Sequence, residues 1–135
     1  MGMGLNDTIR QGRGQVILNA IDAGSGPGTL KLYTAPQPAK GAAITSQTRL
    51  GLLTFADPCG SNTAGTSTLT LNGDPLADAD GDVAWGRIED SAGNFVADLS
   101  ATLLAGAGPI RMPSLTVYAG GPINVVTVTI TEGNL

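Results

Sequence analysis

Short runs of alternating apolar and polar residues, separated by glycine and proline, are the feature that most constrains this chain. Its 135 residues include 20 glycines and 8 prolines, which are the residues that tight turns use most. Between the turns the period is two, as in Thr29–Thr34, where Leu30 and Leu32 lie on one side of the segment. Such alternation indicates strands with one buried face. The pattern therefore predicts an all-β fold.

About seven such runs, roughly 10–15 residues apart, are typical of a β-sandwich or a jelly roll. The turn signals between them include the sequences DSAGN and AGGP, which favour hairpin connections. We expect the last two runs to form a hairpin, with Val126, Val128 and Ile130 towards the core and Thr127, Thr129 and Thr131 outwards. The predicted strands are Thr29–Thr34, 47–56, Thr66–Leu71, Val83–Glu89, Phe95–Leu99, Ser114–Tyr118 and Ile123–Thr131. The predicted loops and turns are 35–41, 57–65, 72–75, 90–94 and 119–122.

The N-terminal segment has a different pattern. Residues 1–14 hold four glycines and few apolar residues, so we interpret them as a flexible arm, followed by a single β-sandwich domain over 15–135. A short helix is also predicted here, with Asn6 or Asp7 as its N-cap. Its apolar residues share one helical face, and the glycine-rich sequence AGSGPG ends it. That predicted face consists of Ile9, Val16, Ile17, Ala20 and Ile21.

Length and charge narrow the class of protein. A chain of 135 residues fits one domain. Charged residues make up 13% and the net charge is −4, which argues against nucleic-acid binding. A single cysteine excludes an internal disulfide. The sequence also lacks an apolar run suited to a signal peptide or a membrane-spanning helix, so we expect folding in a cytoplasm.

Residue chemistry argues against an enzyme. The chain has no histidine, which removes Ser-His-Asp and Cys-His catalysis and most zinc sites. Cys59 lies in a Pro/Gly-rich segment without a neighbouring base, so we interpret it as an inert small residue rather than a nucleophile. Paired carboxylates for glycoside hydrolysis would lie in turn-rich loops, and a sugar cleft normally needs more aromatic residues than the 4% found here. We predict no catalytic residues and no cofactor.

The DADGD sequence is the strongest local signal for a metal. Counted from Asp78, the residues Asp80, Asp82 and Glu89 match the acidic spacing of a helix-flanked calcium loop. The glycine required at position six is replaced by Val83, and the residues that follow alternate like a strand. The alternative is a solvated acidic loop between strands. The four acids are therefore only weak candidates as calcium ligands.

A few residues stand out as candidates for contact with a partner. Trp85 alternates with Val83 along a predicted strand, which favours an anchor in the core or at a subunit interface over a ligand platform. Tyr33 and Tyr118 could contact a partner, since tyrosine is amphipathic, or could be ordinary strand residues. Arg10 and Arg13 place positive charge in the predicted arm.

Four segments resemble the capsid cement, or decoration, proteins of tailed bacteriophages, such as those of podoviruses that infect Bordetella. They cover roughly a third of the chain and contain no catalytic signature. The segments are LKLYTAPQP (30–38), LGLLTFADPCG (50–60), WGRIEDSAGNFVAD (85–98) and GGPINVVTVTITEGN (120–134).

This resemblance implies a structural role. Cement proteins sit on the outside of a shell built from an HK97-type major capsid protein, bridge neighbouring subunits and stabilise the shell. It also implies a sandwich or jelly-roll body, small oligomers (of which we favour a dimer) and a location on the virion. The N-terminal arm and the edge of the Ile123–Thr131 strand are the expected contact elements. The alternatives are a carbohydrate- or receptor-binding β module and, last, a small hydrolase.

Overall fold

The alternating runs form strands in a computed structural model that describes residues 6–72, 76–125 and 127–131. Within these residues one helix precedes nine strands. They are α1 (Asp7–Ile21), β1 (Thr29–Tyr33), β2 (Arg49–Thr63), β3 (Thr66–Asn72), β4 (Gly81–Asp82), β5 (Trp85–Glu89), β6 (Phe95–Leu103), β7 (Ile110–Met112), β8 (Thr116–Val117) and β9 (Thr127–Thr131). The predicted all-β class with one N-terminal helix is confirmed.

Seven of the strands form a closed barrel. Their order is β1-β2-β3-β9-β7-β6-β5, and β5 pairs back onto β1. Neighbours are antiparallel except β6 and β7, which are parallel. The sequence predicted strands stacked as a sandwich, whereas the structure has one sheet that closes on itself. Closure gives each barrel strand a neighbour on both sides, which protects strand edges from pairing with other chains.

Strand β2 is longer than predicted because it includes a segment that has the composition of a loop. The predicted loop 57–65 lies mostly within β2, which continues to Thr63. A shift in register before Gly60 marks a bulge, and a bulge is a place where a strand tolerates proline. The chain then turns at Ala64 and Gly65, with φ of 48° and 91°, as a two-residue hairpin loop requires. The loop prediction is wrong because these turn-forming residues mark a bulge.

The predicted hairpin between Ser114–Tyr118 and Ile123–Thr131 is also wrong. Strand β8, which lies in the first of these segments, pairs with β4 in a separate two-stranded sheet. Strand β9, which lies in the second, is between β3 and β7 in the barrel. The two segments therefore pair with strands distant in sequence, although the predicted turn between them forms, with Gly121 N donating to Tyr118 O at 2.7 Å. Since β9 has neighbours on both sides, it is not the edge strand that the sequence suggested.

Burial along β9 follows the predicted alternation in part. Val128 is buried and Ile130 is partly buried against the core. Thr131 is exposed, whereas Thr127 and Thr129 are half-buried. Val126, the remaining residue of the predicted inner face, lies outside the described residues.

The predicted turn between β5 and β6 is confirmed and is organised by one carboxylate. Asp90 N donates to Asn94 O (3.0 Å), and Asp90 Oδ1 accepts from Ala92 N and Asn94 N (2.9 Å each). The Asn94 side chain donates to Asp90 Oδ2 (3.0 Å). These hydrogen bonds, led by that of the Asn94 side chain, lower the pKa of Asp90. The other predicted turn of this kind, 72–75, lies outside the described residues apart from Asn72, which ends β3.

Helix α1 begins where the sequence predicts. Asn6 is its N-cap, with the side-chain oxygen accepting from Thr8 N at 2.8 Å. Residues 7–14 belong to this helix, so the described part of the predicted arm is not an extended segment. Met1–Leu5 lie outside the described residues.

The predicted apolar face of α1 is buried only in part, at Ile17, Ala20 and Ile21. Gly14, Leu18 and Ile21 are buried, while Ile9 and Val16 are 53% and 66% exposed. Gly14 sets this orientation, since a Cβ there would overlap the side-chain amide of Asn62 on β2. A glycine that weakens an isolated helix therefore allows the closest approach of this one to the barrel.

The hydrophobic core fills the barrel and extends beneath the helix. Gly86 on β5 faces it, because a Cβ there would lie 2.8 Å from Leu30 Cδ1 and 2.9 Å from Ile110 Cδ1. The largest fully buried side chains of the core include Leu18, Ile21, Leu30, Leu32, Leu50, Phe55, Ile88, Ile110, Met112 and Ile123. Among the described residues, α1 falls short of the length and hydropathy that a membrane crossing would need.

Candidate functional site

The connection between β1 and β2, residues 34–48, covers the outer face of β1, β5 and β6; we call it the strap. Its two ends are joined, since Thr34 N donates to Thr48 O (3.1 Å) and Thr48 N donates to Thr34 Oγ1 (2.9 Å). Its middle is tied to β6, where Ser100 Oγ donates to Gln37 Oε1 (3.1 Å). The strap therefore buries strand residues that would otherwise point from the barrel into solvent.

Two of the predicted partner-binding residues lie beneath the strap. The rings of Tyr33 and Trp85 stack with centroids 4.8 Å apart and an interplanar angle of 18°. Trp85 is fully buried, and its Nε1 donates to Thr34 O at 3.0 Å. Tyr33 is buried as well. Neither ring is on the surface, so both residues are corrected as surface candidates. Trp85 is buried as an anchor, but beneath the strap and outside the hydrophobic core of the barrel.

A buried ion pair fastens the strap to the barrel. Arg87 on β5 binds Asp98 on β6 through two contacts, Nε to Oδ1 at 2.7 Å and Nη2 to Oδ2 at 3.1 Å. Both side chains are nearly inaccessible, at 9% and 3% exposed. Arg87 Nη2 also donates to Ala42 O (2.8 Å), and Asp98 Oδ2 accepts from Gly41 N (3.0 Å). Hydrogen bonding to Asp98 raises the pKa of Arg87, so the guanidinium stays charged.

The acids predicted as weak calcium candidates are not brought together. Asp78 Oδ2 lies 3.1 Å from Arg49 Nε, and Asp80 Oδ1 accepts from the backbone N of residue 119 at 2.7 Å. Asp82 Oδ1 accepts from the hydroxyl of residue 116, also at 2.7 Å. Glu89 lies elsewhere on the barrel, at the end of β5, and binds Lys31 Nζ at 2.7 Å. Within the described part of the chain no group of three or more His, Cys, Asp or Glu residues could hold a metal ion.

The segment that contains the three aspartates lies beside residues 115–122, and we call the two segments together the ribbon (76–83 and 115–122), in which Gly81–Asp82 and Thr116–Val117 are the paired strands. Gly81 pairs with Val117 at its centre. An isolated bridge joins Leu76 to Pro122 at one end, beyond a turn in which Gly121 N donates to Tyr118 O at 2.7 Å. At the other end a hydrogen bond of 2.8 Å joins residues 83 and 115. The interpretation of Asp78–Asp82 as a loop holds for Asp78 and Asp80, which lie outside the strands, whereas Asp82 belongs to β4.

The inner face of the ribbon holds it on the barrel. Ala77, Val83 and Val117 are buried there as part of the hydrophobic core. Asp78 N donates to Leu50 O of β2 at 2.8 Å. The ribbon is thus anchored by both hydrophobic packing and a backbone hydrogen bond.

The outer face of the ribbon, which we call the ribbon face, combines two large apolar side chains with acidic ones. Leu76 is 61% exposed and Tyr118 is 67% exposed. Asp78, Asp80 and Asp82 alternate with small residues in the segment that follows Leu76 and are also exposed. Tyr118 is the one partner-binding candidate with an aromatic ring that the structure places on the surface.

A second exposed apolar face lies on the helix. Ile9 and Val16 are seven residues apart, which places them on the same side of α1, and together we call them the helix face. The basic candidates Arg10 and Arg13 belong to the same helix rather than to an extended arm. Arg10 Nη1 lies 3.7 Å from Asp7 Oδ1, and Arg13 is exposed.

The helix face and the ribbon face lie towards opposite ends of the barrel. Gly28, just before β1, meets Ile21 of the helix, because a Cβ there would be 2.7 Å from Ile21 Cγ2. Thr34, just after β1, meets Gly81 of the ribbon, where a Cβ would be 3.2 Å from Thr34 Cγ2. The five residues of β1 separate the two contacts, and a strand rises by about 3.3 Å per residue.

An uncharged crevice of about 660 Å³ adjoins the ribbon. It opens where the pairing of β3 with β9 stops, at Leu69 and Val128. Pro113 and Ile123, which flank the second strand of the ribbon, belong to its wall. The lining residues are Leu53, Thr68, Leu69, Thr70, Leu71, Pro113, Ile123, Asn124, Val125, Thr127 and Val128. The crevice therefore extends the uncharged surface beside the ribbon face.

Cys59 is buried at the contact between helix and barrel. Its Sγ lies 3.7 Å from Leu18 O, and its backbone N donates to Asp22 Oδ1 at 3.0 Å. Burial and the neighbouring Asp22 raise the pKa of the Cys59 thiol to about 12. A thiol with such a pKa forms little thiolate at neutral pH, in keeping with its interpretation as an inert residue.

Sequence reasoning identified Tyr118 but missed Leu76. The missed signal was the alternation in LADADGDV (76–83), in which Leu76 and the three aspartates occupy every second position between small residues. A period of two indicates a strand with one polar face.

Comparison with protein-family models, curated proteins and solved structures found no match for this chain.

Proposed function

We propose that this chain is a non-enzymatic structural protein that binds the outer surface of a phage head and bridges neighbouring major capsid protein subunits. The observation that carries the proposal is that exposed apolar side chains on α1 and on the ribbon lie towards opposite ends of one closed barrel. The helix face presents Ile9 and Val16, and the ribbon face presents Leu76 and Tyr118. The resemblance of four sequence segments to cement proteins supports the same function.

Two separated faces are what a bridging protein needs. A protein that contacts one subunit requires one interface, whereas a protein that holds two subunits together requires two, on a body stiff enough to transmit force. The closed barrel supplies that body, because each of its strands is paired on both sides. The buried Arg87–Asp98 pair fixes the strap against it. The architecture therefore suits a role in which rigidity matters more than an internal cavity.

The energetics of such binding are collective. A specific interface buries at least about 1,000 Å² in total, and many copies on one shell act multivalently. A sparsely charged surface loses little hydration energy when it is covered. We propose a dimer as the bound form, since twofold assemblies are the commonest, and the exterior of the virion as the location.

Binding to assembled shells tests the proposal. Shells of the HK97-type major capsid protein of the same genome, prepared without a decoration protein, are mixed with the purified chain and sedimented. We expect saturable binding to shells and much weaker binding to unassembled capsid subunits, because only the assembled surface places two subunits side by side. Shells that already carry the protein are the control and should bind no more.

A stabilisation assay completes the test. Shells with bound protein should disassemble at a higher temperature than bare shells, since a ligand that binds only the assembled state stabilises it. Equal binding to shells and to free subunits would contradict bridging. Binding to a glycan array in place of shells would instead favour the carbohydrate-binding alternative.

A further inference from the structure

The ribbon face presents its apolar side chains on a rigid support. The neighbours of Leu76 and Tyr118 along their own strands, Ala77 and Val117, are only 6% and 4% exposed. The backbone is held by hydrogen bonds, from Ala77 N to Gly121 O (2.8 Å) and from Gly120 N to the carbonyl of residue 77 (2.9 Å). A preorganised surface loses little conformational entropy on binding. Tyr118 is thus placed as a projecting anchor, the residue type that often dominates interface energetics.

The charge around these two side chains specifies the partner. Asp78, Asp80 and Asp82 are all exposed in the segment that follows Leu76, and Arg49 is paired with Asp78. The carboxylates therefore outnumber the base on this surface. Three negative groups around a tyrosine and a leucine fit a partner surface of positive charge with an apolar centre, because complementary rims steer association and exclude like-charged partners.

We propose that the ribbon face docks on a protein surface in which Lys or Arg side chains surround an apolar recess that receives Tyr118. That the partner protein is a capsid subunit rests on the proposed function. The chemistry of the contact does not. Tyr118 and Leu76 supply the apolar centre of the interface. Asp80 and Asp82 supply its charged rim.

Shell binding by point variants tests the contact. Tyr118→Ala should weaken binding at least about tenfold, as expected for an exposed aromatic anchor. The double variant Asp80→Asn/Asp82→Asn should weaken binding at low salt and reduce its dependence on salt, since screened rim charges act mainly through long-range attraction. Leu103→Ala, at a leucine that is 51% exposed on β6, and Asp57→Asn, at an exposed aspartate on β2, are the matched controls and should bind like the unaltered protein.

Each outcome distinguishes the inference from the proposed function. Thermal melting first shows that every variant is folded, and Tyr118→Ser provides a second substitution at the anchor. If the unaltered protein binds shells and both Tyr118 variants bind equally well, the ribbon face is not the contact, although the function stands. If the unaltered protein does not bind shells, the proposed function fails. A change in the molecular mass of the free protein with unchanged shell binding would show that the ribbon joins copies of this chain, which would overturn the inference.

Discussion

Removing one partner of the buried ion pair should destabilise the whole molecule. In Asp98→Ala the guanidinium of Arg87 stays under the strap without its carboxylate. The variant loses the contacts of 2.7 and 3.1 Å to Arg87 and the 3.0 Å hydrogen bond from Gly41 N. Arg87 would then keep its hydrogen bond to Ala42 O but carry an uncompensated buried charge.

The expected magnitude follows from the geometry. Breaking a buried pair from one side costs about 3–5 kcal/mol, and the 3% exposure of Asp98 leaves little room for water to compensate. A domain of this size is stable by about 5–15 kcal/mol, so the variant should fold but melt early. We expect the melting temperature to fall by roughly 10–20 °C, given several degrees per kcal/mol.

Fluorescence of Trp85 provides the assay, because the indole lies within the same cluster. The guanidinium carbon of Arg87 is 5.3 Å from the Trp85 ring centroid, and Trp85 Nε1 donates to the strap at Thr34 O. Urea unfolding of Asp98→Ala should show a lower midpoint and a red-shifted native emission as the strap loosens. Glu89→Ala is the matched control, since the Glu89–Lys31 pair makes one contact of 2.7 Å and is more exposed. Glu89→Ala should lower the free energy of unfolding by only about 1 kcal/mol.

A double variant distinguishes the effect of an unpaired buried charge from the loss of the two side chains themselves. In Arg87→Met/Asp98→Ala the unpaired charge is gone, so we expect part of the lost free energy of unfolding to return. A cost below about 1 kcal/mol for Asp98→Ala, which is typical of exposed ion pairs, would refute the idea that the pair holds the strap. A double variant less stable than Asp98→Ala would refute the uncompensated charge as the cause.

Three further predictions concern the helix, the thiol and the turn. In urea unfolding, Gly14→Ala should destabilise the protein by about 1–3 kcal/mol, because its Cβ would overlap the Asn62 amide. Gly12→Ala should stabilise it by about 0.5–1 kcal/mol, because a Cβ there meets nothing within 4 Å. Equal effects of the two substitutions would contradict the close approach of Gly14 to β2. Cys59, with its pKa raised to about 12, should react with a thiol reagent only as the protein unfolds, and prompt labelling of the native protein would show that the thiol is accessible. The lowered pKa of Asp90 means that its hydrogen bonds contribute stability above the unfolded-state pKa, about 3.9, and lose it as the pH falls. The melting temperatures of the unaltered protein and Asp90→Asn should therefore differ at neutral pH and converge in acid, and a constant difference would contradict this assignment.

The sequence predicted those features that local pattern determines. Alternation in Thr29–Thr34 gave β1 with Leu30 and Leu32 in the core. The DSAGN turn formed, because Asp90 and Asn94 satisfy its backbone groups locally. Asn6 caps the helix as expected from the preference of asparagine for that position. Each of these features depends on residues only a few positions apart.

Pairing between distant segments could not be predicted in this way. The ribbon joins residues 76–83 to 115–122, and no local signal selects that partner over the hairpin across residues 119–122. The bulge before Gly60 has the same composition as a loop, since proline and glycine occur at both. Closure of the barrel is also a global property, because a sandwich and a barrel can share the same alternating strands.

The strap explains why the partner-binding candidates divided as they did. Trp85 and Arg87 alternate with the core-facing residues of β5 and therefore lie on the outer face of the barrel, whereas the sequence favoured Trp85 as an anchor in the core or at a subunit interface. That face is covered by the strap, whose predicted loop composition gives no indication of what it packs against. Tyr118 has no such cover and is 67% exposed. Burial at these positions depends on a tertiary contact with residues 34–48, not on the strand pattern.

The placement of charge makes the two ends of the molecule chemically different. The chain has 7 basic and 11 acidic residues, and Lys31, Arg49 and Arg87 are each paired with an acid across neighbouring strands or the ribbon. Part of the excess negative charge lies on the ribbon, at Asp80 and Asp82. The helix face presents Ile9 and Val16 on the same helix as the basic residues Arg10 and Arg13. Attraction at the ribbon would weaken as salt screens its carboxylates. A protein that bridges two subunits would therefore hold one by apolar side chains on a helix with basic residues and the other by apolar side chains beside carboxylates.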